Sequence, residues 1–215
     1  MTAKLEAFLL KNLEGYLFED IETLKVAAPR DGKTCGAVGY PLLMTVFAGI
    51  ELLGNLVSSS AFDPMKGAER FAEFWRDYLY TGNPSRQAAG PVLYRLARHG
   101  LAHAFLVKGD LDVYKGHPHM HLTKSASGAV SVDAVELAND LRATYESNIK
   151  PKATPGTPLF ETMSARLAEM EAEYTRQALV DLPKLALTAP STSTATTVII
   201  RSATVTGSTF SSTDT

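Results

Sequence analysis

The chain has 215 residues, with 21 Lys and Arg against 23 Asp and Glu for a formal net charge of −2. That balance excludes a polycation gripping nucleic acid over its whole surface, although a local basic patch stays allowed. Cys35 is the only cysteine, which excludes an intrachain disulfide framework and points to a reducing compartment.

The N-terminal M-T-A-K-L-E-A-F-L-L-K-N-L-E-G spreads acids through its apolar residues, where a secretory signal needs an unbroken apolar block and a cleavage site. A cytoplasmic protein is expected. Over residues 3–26, Leu5, Phe8, Leu9, Leu13, Tyr16 and Leu17 recur at helical spacing, so this is a first helix, bent near Gly15. The segment A-P-R-D-G-K-T-C-G is a loop by its Pro, Gly and Asp-Gly content. Its Gly-Lys-Thr lacks the glycine five residues before Gly32, where Ala27 stands, and no strand precedes it, so a phosphate-binding loop is not supported.

A second helix spans Tyr40 to Val57. Its apolar run is interrupted by Glu51 and Asn55 and is shorter than a comfortable membrane span, so a buried core helix, without a membrane, is expected. Gly49 and Gly54 cost helix propensity, roughly 1 kcal/mol each relative to Ala, and imply close packing by another helix. Glu51 needs a partner: it lies on a polar stripe or pairs with an Arg, or it lines a pocket and orients a basic residue.

A third helix over residues 66–80 carries Phe71, Phe74, Trp75, Tyr78 and Leu79 on one face, a pattern that reads as core. Thr81 to Gly90 is expected to be a turn-rich loop. Next comes P-V-L-Y-R-L-A-R-H-G-L-A-H-A-F-L-V-K-G, from Pro91 to Gly109. Val92, Leu93, Leu96, Ala97, Leu101, Ala104 and Phe105 make one apolar helical face there. Arg95, Arg98, His99 and His103 then leave the flank.

Beyond it the period changes. Leu111, Val113, Met120, Leu122, Val130 and Val132 alternate around turn residues, which reads as a small hairpin or three-stranded element over about 111–132. Asp133 is an N-cap for a helix to about Ile149, Pro151 to Pro158 is a break, and Leu159 to Leu182 is a last, strongly charged helix. From Thr188 the composition turns to Ser and Thr; such a tail is disordered, or adds a strand to a partner. The expected architecture is mainly α: an antiparallel helical bundle with a β-hairpin insertion, one domain over 1–187 and the tail over 188–215. Leu13, Leu17, Leu43, Phe47, Phe74, Trp75, Leu93 and Leu96 should share one core.

Two constellations could do chemistry. In Arg98-His99-Gly100-Leu101-Ala102-His103, Arg offers a permanent planar cation for a phosphate and His moves protons near neutrality. Metal-independent RNA cleavage needs that pair: a base and acid at the 2′-hydroxyl and leaving oxygen, and a cation over the phosphoryl oxygens. Residues five apart on one helix diverge by about 140° and by roughly 7.5 Å along the axis, so two copies meeting at a symmetry axis make a better site than one. In H-P-H-M-H, His117, His119 and His121 would project from one face of a strand, a usual presentation of imidazoles to zinc, although Pro118 interrupts them and no acid lies among them. Cys35 has no local partner and no G-x-S-x-G elbow exists, so a nucleophile-based hydrolase finds little support.

The stretch L-Y-R-L-A-R-H-G-L-A-H-A-F, together with G-I-E-L-L-G and F-A-E-F-W-R-D-Y before it, resembles the HEPN superfamily of helical nucleases and nucleotide-binding domains over roughly residues 1 to 150. The signature there is an Arg, a polar residue, and a His four to six residues after the Arg; Arg98, His99 and His103 fit, with His99 in place of the commoner Asn. The resemblance implies a helical bundle that dimerises through the motif helix, here residues 91–105. It also implies a metal-independent endoribonuclease or RNA-binding module, without cofactor, in a defence or toxin system with an antitoxin or other protein partner. Arg98 and His103 would be catalytic, with His99, Glu51 and Arg95 in support. The alternatives are a non-catalytic helical scaffold or partner-binding protein, in which Arg98 pairs with Glu51, and a histidine metal-binding protein.

Overall fold

A computed structural model describes residues 2–29, 31–32, 38–98, 111–126 and 128–184, without the side chains of residues 2, 3 and 98. The chain divides into two units, 1–177 and 178–215. The protein is mainly helical, with a small three-stranded sheet.

The first helix, α1, is α-helical over Thr2–Phe8, widens to a π-helix over Leu9–Phe18 and returns to α over Glu19–Val26. Gly15 lies in the wide segment. Leu5, Leu9, Leu13, Phe18 and Ile21 are buried from this one helix. Tyr145 donates to the Glu14 carboxylate at 2.7 Å and Lys150 lies 2.9 Å from it, so α1 is tied to the later helix that carries them.

The second helix, α2 (Gly39–Val57), is the centre of the core: Leu42, Leu43, Val46, Phe47, Ile50, Leu53 and Leu56 are all buried. Among the described residues it is the one helix long and apolar enough to cross a membrane, and most of it is inside the fold. Both of its glycines mark close approaches. A methyl group on Gly54 would sit 2.4 Å from the backbone oxygen of Arg70, and one on Gly49 would sit 2.9 and 3.0 Å from Leu17 and Leu141 side-chain carbons.

Arg70 belongs to α3, which runs as α-helix over Gly67–Phe74 and as π-helix over Trp75–Leu79, after a 3-10 turn at Pro64–Lys66. Its aromatic stripe is core, with Phe71, Phe74 and Trp75 fully buried. The Arg70 guanidinium is buried as well, and bonds the Glu73 carboxylate at 3.0 Å and the Ala61 carbonyl at 3.4 Å.

The segment expected as a loop, 81–90, is mostly helix instead. α4 begins at Pro84 and runs as α-helix over Pro84–Leu93 and as π-helix over Tyr94–Arg98. Asn83 caps it, its side chain accepting from the Arg86 N–H at 3.2 Å, and Pro84 occupies the first turn, where its missing N–H costs nothing. Gly90 lets Trp75 lie flat on this helix, since a methyl there would be 2.5 Å from the indole. The Trp75 N–H donates to the Arg86 carbonyl at 2.8 Å.

The β element has three strands, β1 (Leu111–Tyr114), β2 (Thr123–Lys124) and β3 (Val130–Asp133), in the order β1-β3-β2. β2 and β3 form the expected hairpin. β1 pairs with β3 in parallel, Leu111 opposite Val130 and Tyr114 opposite Asp133, so the whole of 111–132 is more than one hairpin; parallel pairing needs a long connection, which residues 115–129 supply. Asp133 then caps α5 (α-helix Ala134–Thr144, π-helix Tyr145–Ile149), accepting from the N–H groups of Val135 and Glu136 at 2.9 and 3.0 Å.

α6 spans Pro158–Asp181, and within the first unit it buries Phe160, Met163, Leu167 and Met170. In the second unit the helix end and a 3-10 turn at Leu182–Lys184 are described, with Leu179, Val180 and Leu182 exposed. Of the eight residues expected in one core, Leu13, Leu43, Phe47, Phe74, Trp75 and Leu93 are buried in a single cluster, and Leu17 and Leu96 pack against it half-buried.

Candidate functional site

The motif helix enters the core at its start. In α4, Leu93, Tyr94 and Ala97 are buried and Arg95 is exposed, so these residues fall where the helical period puts them. The Tyr94 hydroxyl donates to Glu51 Oε2 at 3.3 Å. Glu51 reaches this place because Gly67, at the start of α3, leaves room: a methyl there would be 2.5 Å from Glu51 Oε1. The half-buried acid of α2 therefore faces the motif helix one turn before Arg98, the last residue of that helix described. His99 and His103 lie outside the described residues, as do Leu101, Ala104, Phe105 and Cys35.

The histidines 117–121 do not share a strand face. Pro118–Met120 is a 3-10 turn, because Pro118 has a fixed φ and no N–H to join a ladder. His117 and His119 are exposed, with ring centroids 6.2 Å apart, while His121 is turned inward and buried. The three imidazoles therefore do not converge, and no group of three His, Cys, Asp or Glu among the described residues is placed to hold a metal ion.

His121 instead joins a polar cluster with no local sequence signal. Its Nδ1 is 3.2 Å from the Asp133 carbonyl, an oxygen that only accepts, so this nitrogen donates. Its Nε2 is 3.1 Å from the Tyr80 hydroxyl and 3.4 Å from Asp140 Oδ2. Tyr80 donates to the same Asp140 oxygen at 2.6 Å. Arg86 lies over the Tyr80 ring at 5.4 Å and 3.9 Å from Asp140.

Burial alone would raise the Asp140 carboxyl. The hydrogen bonds from His121 and Tyr80, with the charges of His121 and Arg86, outweigh it and hold that carboxyl below the usual carboxylate range. Burial, then the Asp140 charge and hydrogen bond, push the Tyr80 hydroxyl above the usual tyrosine range. The cluster thus joins a cation, an imidazole, a phenol and a carboxylate from α4, the 117–121 turn, the end of α3 and α5. Its histidine is closed off from solvent and its carboxylate is already paired, which suits a clasp between elements better than a site for substrate.

No family model matches this chain, and no curated protein or solved structure matches it.

Proposed function

We propose that the chain is a HEPN-like module that binds RNA and cleaves it without a metal, as a homodimer formed through the 91–105 helix. The observation that carries this reading is the Arg98–His103 spacing in sequence, which begins at the last described residue of a helix whose Leu93, Tyr94 and Ala97 are buried and whose Tyr94 is bonded to the half-buried Glu51. A helix fixed in this way holds the backbone of Arg98, and an arrangement of catalytic side chains requires such fixed positions.

In this reading the helices form an antiparallel bundle, the protein is cytoplasmic, and the Ser/Thr tail is free or pairs with a partner such as an antitoxin. His103 moves the proton at the 2′-hydroxyl or the leaving oxygen, and Arg98 stabilises the charge on the phosphoryl oxygens. Arg95 adds a cation at the exposed flank, His99 a second imidazole, and Glu51 orients the basic residues.

Single-stranded RNA incubated with the protein and a chelator should be cut. His103→Ala should lower the rate roughly 10²–10⁴-fold, the usual contribution of a general acid or base, with the melting temperature unchanged. Arg98→Ala should reduce turnover by a larger factor than it weakens RNA binding, because its contact tightens in the transition state. A folded dimer that neither binds nor cuts RNA would leave the scaffold reading, in which the Glu51–Tyr94 bond is purely structural.

A further inference from the structure

Around the turn that buries His121, three further rings lie next to one another. Tyr114 is half-buried at the end of β1, and His117 and His119 are exposed. The Tyr114 and His117 centroids are 5.6 Å apart with planes at 56°, and those of His117 and His119 are 6.2 Å apart at 65°.

The backbone beneath is tightly held. The His117 N–H donates to the buried Asp133 carboxylate at 2.6 Å, the Met120 N–H to the His117 carbonyl at 2.9 Å, and the His121 N–H to the Pro118 carbonyl at 3.1 Å. The His121 side chain is fastened to Tyr80 and Asp140. Two rings on a fixed turn and a third on a paired strand have a fixed backbone, so little backbone ordering entropy is lost when they bind.

We propose that Tyr114, His117 and His119 form a stacking surface for the bases of single-stranded RNA; this rests on the RNA reading given above. Tyr and His rings take unstacked bases in single-stranded recognition. Tilts of 56° and 65° cannot continue the parallel base stack of a duplex. Each ring accepts a base splayed away from its neighbours, which only an unpaired strand can supply.

The test uses a labelled oligouridylate and an abasic strand of equal length, in chelator, with the full chain and its His117→Ala/His119→Ala variant. The double variant should bind the oligouridylate at least about 5-fold more weakly, the lower limit for losing one stacked base, with an unchanged melting temperature. The salt dependence should keep its slope, because no phosphate contact is removed. The abasic strand should bind the unaltered protein at least as weakly as the oligouridylate binds the variant, which keeps the Tyr114 ring. In cleavage assays KM should rise at constant kcat.

Equal binding of oligouridylate by both proteins, or binding of the abasic strand by the unaltered protein as tightly as the oligouridylate, would overturn the stacking surface. If His103→Ala abolishes cleavage while the ring variant leaves KM unchanged, the stacking proposal alone falls. If affinity follows the rings while no cleavage occurs, the stacking proposal is supported and the catalytic reading falls. A protein that binds no RNA overturns both.

Discussion

Asp140 collects a hydroxyl, an imidazole and a guanidinium on one oxygen, and removing any donor leaves the others to compensate. Tyr80→Phe keeps the ring against Trp75 and Arg86 and deletes only the hydroxyl bonded to the carboxylate. It should cost about 1–3 kcal/mol, the range for breaking a buried bond to a charged group, read from urea unfolding curves. The pH dependence has a definite sign. Because the folded Asp140 carboxyl lies below its ordinary value, the unfolded chain binds the proton more readily. Its contribution is therefore complete above the ordinary carboxylate range and is lost as the pH falls below about 4. Glu14 acts in the same direction: burial raises it, but the hydrogen bonds from Tyr145 and Lys150 together lower it further. Unfolding free energies measured across this acid range should fall less steeply with pH in Asp140→Asn than in the unaltered protein. An identical slope would remove Asp140 from the acid response.

At the scale of elements, the contact between α2 and α3 depends on the absence of a single methyl group. The obstruction at Gly54 is the Arg70 backbone at 2.4 Å, which cannot move without shifting a helix whose arginine is itself buried and bonded. Gly54→Ala should therefore destabilise by about 1–3 kcal/mol or more, as overpacking does. At Gly49 the nearest atoms are leucine side-chain ends, which can rotate away, and Ala recovers about 1 kcal/mol of helix propensity. Gly49→Ala should melt closer to the unaltered protein than Gly54→Ala does. The reverse order would mean that the leucines are less free to move than the helices. The start of α4 reads as a loop in the sequence because N-P-S-R carries turn residues, yet Asn83 and Pro84 are also cap and first-turn residues. The choice between these roles came from Trp75, which lies on Gly90 and bonds the Arg86 carbonyl.

At the scale of the molecule, the described core closes well before the Ser/Thr-rich stretch. The last buried apolar residue described is Met170, and the contacts that join α1, α2, α3 and α5 lie entirely within residues 2–149. Deleting residues 188–215 should leave the melting temperature of the remaining protein unchanged within about 2 °C; a larger drop would show that the tail packs on the helical unit. The two histidine constellations separate at this scale as well. Residues 117–121 divide into an inward His121 that fastens four elements and an outward pair that remains accessible, although their spacing in the chain is uniform.

The sequence by itself determined where the helices run apart from the start of α4, which of their faces are buried, the close approach at Gly49 and Gly54, the aromatic core of α3 and the Asp133 cap. Each of these depends on residues within one or two turns, where helical period and backbone hydrogen-bond chemistry leave few choices. Only the tertiary structure decided the parallel pairing of β1 with β3, the helical start at Pro84, the inward turn of His121, and the meeting of Tyr80, Arg86, His121 and Asp140. Tyr80 is 41 residues from His121 and 60 from Asp140. A hydrogen bond across such a separation is set by how the helices and strands pack, and no local period or spacing in the chain carries that information.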